Sequence, residues 1–384
     1  MESLKREKLN DFFNMIQIQA KRIWMITDTH FGVRSNSREW MDIIETFFKE
    51  QLFPLIKKEF RPGDILVHCG DTFDSRQSIN LYVMNKGLEL MEELSEILPV
   101  YSIIGNHDIF MKYSNEINSM KLFKHLTNVH VFEKPQMILS RDTGKKLFFL
   151  PWVEEHEDFR NIIQDPANSA DVMFCHSDVK GIAFNRYVKI EEGTEVECFN
   201  GFHRVYSGHI HYAQKYKNVR MLGTPYELTR SDSGNTKGIW RLDLETDEEQ
   251  FWENTVSPKF LRYRLEWILE RSIDELQNLF QNNFVDILIT PQWSLKFPFG
   301  QFIENFTGYR RINHIIISED STEDGEESYE GGVGEEISLT KMIEGYVDRM
   351  AYTDQIKSKL KEVSIRLYHE ASKELEEKRS YENT

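Results

Sequence analysis

The stretch that decides the fold is Asp64-Ile65-Leu66-Val67-His68-Cys69-Gly70-Asp71-Thr72-Phe73-Asp74. Residues 64–69 form a short apolar run, which predicts a strand. The run ends in a glycine and two carboxylates. In an α/β sheet, ligands gather beyond the carboxyl ends of strands. Working outward, the same arrangement recurs four times. Residues 22–27 (RIWMIT) run into Asp28-Thr29-His30, and 100–104 run into Gly105-Asn106-His107-Asp108. Residues 171–175 run into His176, and 204–207 run into Gly208-His209-Ile210-His211. Amphipathic stretches lie between them. Residues 39–60 place Met41, Ile44, Phe48, Leu52 and Leu55 on one helical face, and 79–98 predict a second helix. Further strands are expected at 146–150, 219–222 and 238–242. This alternation is the pattern of α/β layers, so five polar strand ends can converge on one site.

Together these ends offer Asp28, His30, Asp71, Asn106, His176, His209 and His211. Carboxylate, imidazole and amide donors without thiolate suit Mn²⁺, Fe²⁺ or Zn²⁺ better than Ca²⁺ or a Cys-rich zinc site. Seven donors exceed the needs of one ion, and a carboxylate such as Asp71 can bridge two ions about 3.5–4 Å apart. In an extended segment the spacing of His209 and His211 turns both rings the same way, and that of Asp28 and His30 works alike. Each pair alone has an ordinary explanation, since Gly, Asn and Asp also build turns and two histidines can share a surface by coincidence. Five in this order, each after a strand, do not. His68 reads as a packed residue beneath the site. Cys69 and Cys175 read as small buried residues at strand ends, and His125, His130, His156, His203, His314 and His369 as surface or structural.

The set D-x-H, GDxxD, GNHD, a lone His and GHxH resembles the calcineurin-like metallophosphoesterases over residues 21–253. The resemblance implies an α/β sandwich of two β-sheets flanked by helices. It implies Asp28, His30, Asp71 and His211 around one ion and Asp71, Asn106, His176 and His209 around the other. It also implies that His107 contacts the scissile phosphate and serves the leaving group, while Asp108 holds the His107 ring. Residues 221–230 (MLGTPYELTR) resemble the G-(S/T)-P-x-x-L-T stretch of the DNA double-strand-break nucleases, and Leu150-Pro151-Trp152 resembles their bacteriophage members. That family implies two Mn²⁺ ions, with Mg²⁺ as the other option. It also implies a DNA substrate, a homodimer in the cytoplasm, and an SMC-like ABC-type ATPase partner bound through C-terminal helices. Asp74 departs from it, because several members carry His there. The runner-up readings are a small-molecule phosphodiesterase or phosphatase, and a non-catalytic scaffold; the intact donor set argues against the scaffold.

Composition shifts after about residue 253. The expected organisation is an extension at 1–20, a phosphoesterase domain at 21–254, an α+β cap at 255–317, an acidic linker at 318–337 and a helical segment at 338–384. In the cap, strands are expected at 260–269, 285–290 and 312–318, with helices at 273–280 and 301–306. In the last segment, Ile356, Leu360, Val363, Leu367, Ala371 and Leu375 make one apolar stripe that suits a partner helix. Taken alone, the net charge of −16 disfavours DNA as a partner. Nine of those surplus charges lie in 318–336, however, which leaves −7 for the remainder, and Asp28 and Asp71 would be neutralised by metal. Arg34, Arg38, Arg76, Lys180, Arg186 and Lys189 follow the polar strand ends and are the expected phosphate contacts. With 40% hydrophobic residues the chain is no disordered protein; three scattered cysteines and a mixed-charge start point to a reduced compartment without a secretory signal.

Overall fold

A computed structural model describes residues 15–186, 188–294, 296–317, 347, 356–364 and 366. The strand Arg22–Ile26 is buried along its whole length, and so is its neighbour Asp64–His68. Strands buried on both faces must be covered on both faces. These two lie near the middle of a six-stranded sheet ordered Glu249–Glu253, Gly238–Asp243, Arg22–Ile26, Asp64–His68, Val100–Ile103, Val129–Phe132. The last four strands are mutually parallel, so their carboxyl ends share one edge. A seven-stranded sheet runs Ile16–Ile18, Gln136–Ser140, Lys146–Leu150, Ala170–His176, Phe202–Gly208, Val219–Met221, Gln214–Tyr216.

Alternation along the strands divides the core. Ile23, Met25, Ile65 and Val67 meet Leu147, Phe149, Val172 and Phe174 between the two sheets. The intervening residues Trp24, Ile26 and Leu66 face the helices, where Met41, Ile44, Phe48, Leu90 and Leu94 pack against them. On the far side Phe148, Met173 and Cys175 pack with Phe159 and Ile163 of the helix His156–Gln164. The expected helix at 39–60 is an α-helix at Arg38–Thr46, a π-helical stretch at Phe47–Leu52 and a second α-helix at Phe53–Glu59. The widened stretch stops at Pro54, which has no N–H for the carbonyl one turn back.

A buried ion pair joins the starts of the two central strands. Arg22 donates to Asp64 at 2.7 and 2.6 Å, and the Trp24 indole donates to the same carboxylate at 3.1 Å. Both charged residues are buried. Asp64→Ala would leave a guanidinium in the core without its counter-charge, and should cost about 3–5 kcal/mol. Urea unfolding of the metal-free protein measures this, and a loss under about 1 kcal/mol would contradict it.

Two expectations need correction, and one further element carried no expectation. Residues 1–20 do not all precede the domain, because Ile16–Ile18 pairs in parallel with Gln136–Ser140 as an edge strand. Three residues are too short to show a pattern, and the pairing partner lies 122 residues away, Ile16 opposite Ile138. The expected strand at 260–269 is a strand at Phe260–Arg264 followed by a helix at Leu265–Leu269. Polar Ser114–Asn118, which carries no strand pattern, pairs with Ile109–Met111 as a hairpin directly after the GNHD segment.

The cap sheet Phe260–Arg264, Phe284–Ile289, Arg311–Ile316 is parallel. It docks through aromatic stacking: the Trp40 ring lies 5.5 Å from Phe284 at 3° and 6.0 Å from Phe260 at 19°. Arg230 adds a two-pronged pair to Asp286. Contacts divide the chain at Glu327 and Ser328. In the second unit, residues 356–364 and 366 are helical and include Ile356, Leu360 and Val363. The linker expected at 318–337, and Leu367, Ala371 and Leu375 of the stripe, lie outside the described residues.

Candidate metal centre

The five polar strand ends do meet. Donor atoms of Asp28, His30 and His211 lie within 4.8 Å of one another, and so do those of Asp71, His176 and His209. Asp71 stands between the two groups, its Oδ2 3.3 Å from His176 Nε2 and 3.9 Å from His30 Nε2. Asn106 Oδ1 lies 2.9 Å from His176 Nε2 and 2.9 Å from His209 Nδ1.

The backbone is bent to achieve this. Asp28, His30, Asp71 and His209 all have positive φ, between 45° and 81°. Non-glycine residues in this region cost of order 1–3 kcal/mol each and collect at functional sites. Two motif glycines have a steric reason. A Cβ on Gly105 would stand 2.2 Å from Asp71 Oδ1, and one on Gly208 would stand 2.2 Å from Thr27 Oγ1 and 2.5 Å from the Cys69 carbonyl. Only glycine lets these strand ends close on one another.

The outward nitrogens of the rings decide what points inward. His176 Nδ1 faces the Cys69 carbonyl at 2.7 Å, and His209 Nε2 faces the Asp178 carboxylate at 3.0 Å. Those oxygens only accept, so the outward nitrogens carry the protons. In the neutral rings the inward nitrogens therefore present lone pairs, beside the oxygens of Asp71 and Asn106. His30 Nε2 and His211 Nε2 face each other at 3.2 Å. Such a convergence of donors fits divalent cations. The Asn106 amide could instead turn over, its nitrogen donating to His176 and His209 and its oxygen accepting from Arg76 at 3.0 Å. An amide nitrogen has no lone pair for a cation, so a cation selects the orientation with oxygen inward.

Charge follows the geometry. Burial alone would lower the pKa of His176, but Asp71 and Asp28 outweigh it and raise it to about 9. Burial opposes ionisation of Asp71, yet His176, His30 and His107 hold it well below the usual carboxylate range. An imidazolium cannot bind metal, so at pH 7 uptake of a cation must expel the His176 proton. Affinity should therefore rise with pH up to about 9, by up to about tenfold per unit. Calorimetric titration of Mn²⁺ into metal-free protein, in two buffers of different ionisation enthalpy, should show proton release; uptake without it would contradict this arrangement.

Residues around the donors were less legible. Asp178 repeats the period-two spacing after His176, a signal that could have found it. Asp232 had no local signal: its carboxylate lies 3.9 Å from His211 Nδ1 and pairs with buried Lys237 at 3.1 Å. His68 is a packed, neutral ring. Burial lowers its pKa to about 4, and it bonds Thr29 and Thr72. Cys69 and Cys175 are buried free thiols.

The expected role of Asp108 is wrong. Its carboxylate accepts from the main-chain N–H groups of Thr72, Phe73 and Gly105 at 3.0–3.1 Å. The side chain ties two loops together and turns away from its neighbour. His107 is held instead by the main-chain carbonyl of Asp74, 2.6 Å from its Nδ1. The Asp74 carboxylate lies 3.3 Å from His30 Nδ1.

Of the six expected phosphate contacts, Arg76 reaches the donor cluster. Arg34 lies over the Trp40 ring at 4.7 Å and donates to the Leu228 carbonyl, and Arg38 lies over Tyr82 at 5.3 Å. Lys180 pairs with Glu195 at 4.0 Å, and Lys180, Arg186 and Lys189 are exposed in the segment after His176.

A profile of the calcineurin-like phosphoesterases matches residues 21–213, half of the chain. The chain belongs to that family of metal-dependent phosphoesterases. It is 26% identical over 354 residues to Exonuclease subunit 1 of Enterobacteria phage T4, spanning 91% of this chain and 99% of that protein. It is 24% identical over 202 residues to Putative phosphoesterase 244L of Invertebrate iridescent virus 6, spanning 52% of this chain and 67% of that protein. A solved structure of a protein of unknown function from Aquifex aeolicus covers 47% of this chain and 93% of its own at 18% identity, with a TM-score of 0.26. Among the described residues, no helix is long and apolar enough to cross a membrane.

Proposed function

We propose that the chain is the nuclease subunit of a DNA end-processing complex. It would hydrolyse phosphodiesters with two divalent ions, Mn²⁺ for preference, in recombination and double-strand-break repair. The observation that carries this reading is the near full-length likeness to a phage exonuclease subunit, across both the phosphoesterase domain and the cap. Asp28, His30, Asp71 and His211 would hold one ion; Asp71, Asn106, His176 and His209 would hold the other. The ions would neutralise the phosphodiester and supply an activated water in line with it.

The protein's own residues do the rest. Asn106 coordinates without adding negative charge that would repel the substrate. His107, fixed through Nδ1 by the Asp74 carbonyl, would deliver a proton from Nε2 to the leaving oxygen. Arg76 would contact a phosphate oxygen beside Asn106. Asp178 and Asp232 would fix His209 and His211, as carboxylates behind metal-bound histidines do.

By the same reading the chain acts in the cytoplasm, as a homodimer with an SMC-like ABC-type ATPase bound through residues 338–384. The test supplies Mn²⁺ and end-labelled duplex DNA to the purified chain, with and without the ATPase, beside bis-p-nitrophenyl phosphate. Cleavage of the DNA is expected. Turnover of the small ester alone, even with the ATPase present, would favour a small-molecule phosphodiesterase.

A further inference from the structure

Two exposed segments beside the centre have no partner in the chemistry so far. The hairpin of Ile109–Met111 and Ser114–Asn118 begins next to Asp108. It presents Phe110, Met111, Tyr113 and Ile117, with Tyr113 exposed at 77%. The loop 179–194 begins three residues after His176 and presents Phe184 and Val188. Clustered apolar side chains left in water mark binding surfaces. Both segments carry the same order of residues, Phe-x-cation-Tyr: Phe110-Met111-Lys112-Tyr113 and Phe184-Asn185-Arg186-Tyr187.

Each segment is rooted on the centre. In the hairpin, Asn115 donates to the Trp152 carbonyl at 3.3 Å, and the Trp152 ring lies 5.0 Å from the His209 ring. Ser119 N–H donates to the Asp108 carbonyl at 2.8 Å. In the loop, Ala183 exchanges bonds of 2.9 and 2.6 Å with Gln214, three residues beyond His211. Among the described residues, Lys112 and Lys180 make long pairs with Glu154 and Glu195, at 3.8 and 4.0 Å, and both lysines are exposed. Such pairs are weak enough to be exchanged for a phosphate.

We propose that these segments are stacking platforms for unpaired nucleotides on either side of the phosphate to be cut. The proposal rests on the nuclease reading and narrows its substrate to single-stranded or frayed ends. Aromatic rings interleaved with cations match a strand that offers base faces and phosphates in alternation. A closed duplex covers its base faces by its own stacking, so the rings gain nothing from it until the end opens.

The test compares KM for a single-stranded oligonucleotide and for the same strand carrying abasic sites. The wild type should prefer the intact strand by about tenfold, the scale of one stacked base. The triple variant Phe110→Ala, Tyr113→Ala, Phe184→Ala should lose that preference. Leu81→Ala, which removes an apolar side chain exposed at 73% elsewhere, should keep it. Damage to the fold would weaken both substrates alike and leave their ratio intact, so retention of the ratio in the triple variant overturns the proposal. Retention together with a loss of self-association in sedimentation would instead assign the patch to a second copy of the chain. If the wild type cuts no DNA of any form, it is the nuclease reading that fails.

Discussion

Asp71→Asn should lower phosphodiesterase turnover by about 10⁴-fold and abolish tight binding of both cations. The substitution is isosteric, and its amide oxygen can still accept the His107 N–H bond that Asp71 Oδ1 takes at 2.7 Å. What it removes is the charge shared between the two donor groups. A metal ion supplies several kcal/mol of charge stabilisation in the transition state, and about 1.4 kcal/mol is a decade in rate. Four or so decades follow. Steady-state rates with Mn²⁺, alongside metal titration, measure both halves. Turnover within tenfold of wild type would remove Asp71 from the bridging position.

His107→Ala should behave differently. Its side chain lies outside the two groups that hold Asp28 and Asp71, although it converges with His30 and Asp74 in a third, and its hydrogen bond with Asp71 is through the main chain. Metal binding should therefore survive, while DNA cleavage falls by about 10²–10⁴-fold, the usual weight of general acid catalysis. The leaving group separates this role from a structural one. A sugar oxygen needs a proton as it departs, whereas p-nitrophenolate leaves readily without one. The variant should lose far less on bis-p-nitrophenyl phosphate than on DNA. Equal losses on the two substrates would assign His107 to substrate binding or to the fold.

The parts of this site that were legible in the sequence are those with a local cause. Each strand is a short apolar run, each donor follows it within a few residues, and the glycines mark where chains must touch. The geometry of Gly105 against Asp71 shows why that spacing is read so reliably. What was not legible depends on partners distant in sequence. Asp232 approaches His211 only because the segment after strand Val219–Met221 folds back under it. Asp108 was misread because adjacency to His107 is a poor guide in a turn: neighbouring side chains there diverge, and its carboxylate is drawn to three main-chain N–H groups. The hairpin at Ile109–Asn118 escaped because Ser114–Asn118 has no apolar alternation and Phe110, Met111 and Ile117 stand exposed, the reverse of a core strand. The pairing of Ile16–Ile18 likewise depends on a strand 122 residues away. The acidity that argued against DNA is largely the composition of residues 318–336 and says little about the face around Asp71.

The central claim is that one carboxylate joins two cation sites. Equilibrium binding of Mn²⁺ to the metal-free protein, counted by its paramagnetic resonance signal, tests it most directly. Two ions per chain are expected for the wild type, with magnetic coupling between them, because a shared carboxylate holds ions about 3.5–4 Å apart. A single uncoupled ion per chain, in a protein that still turns over phosphodiesters, would contradict the account.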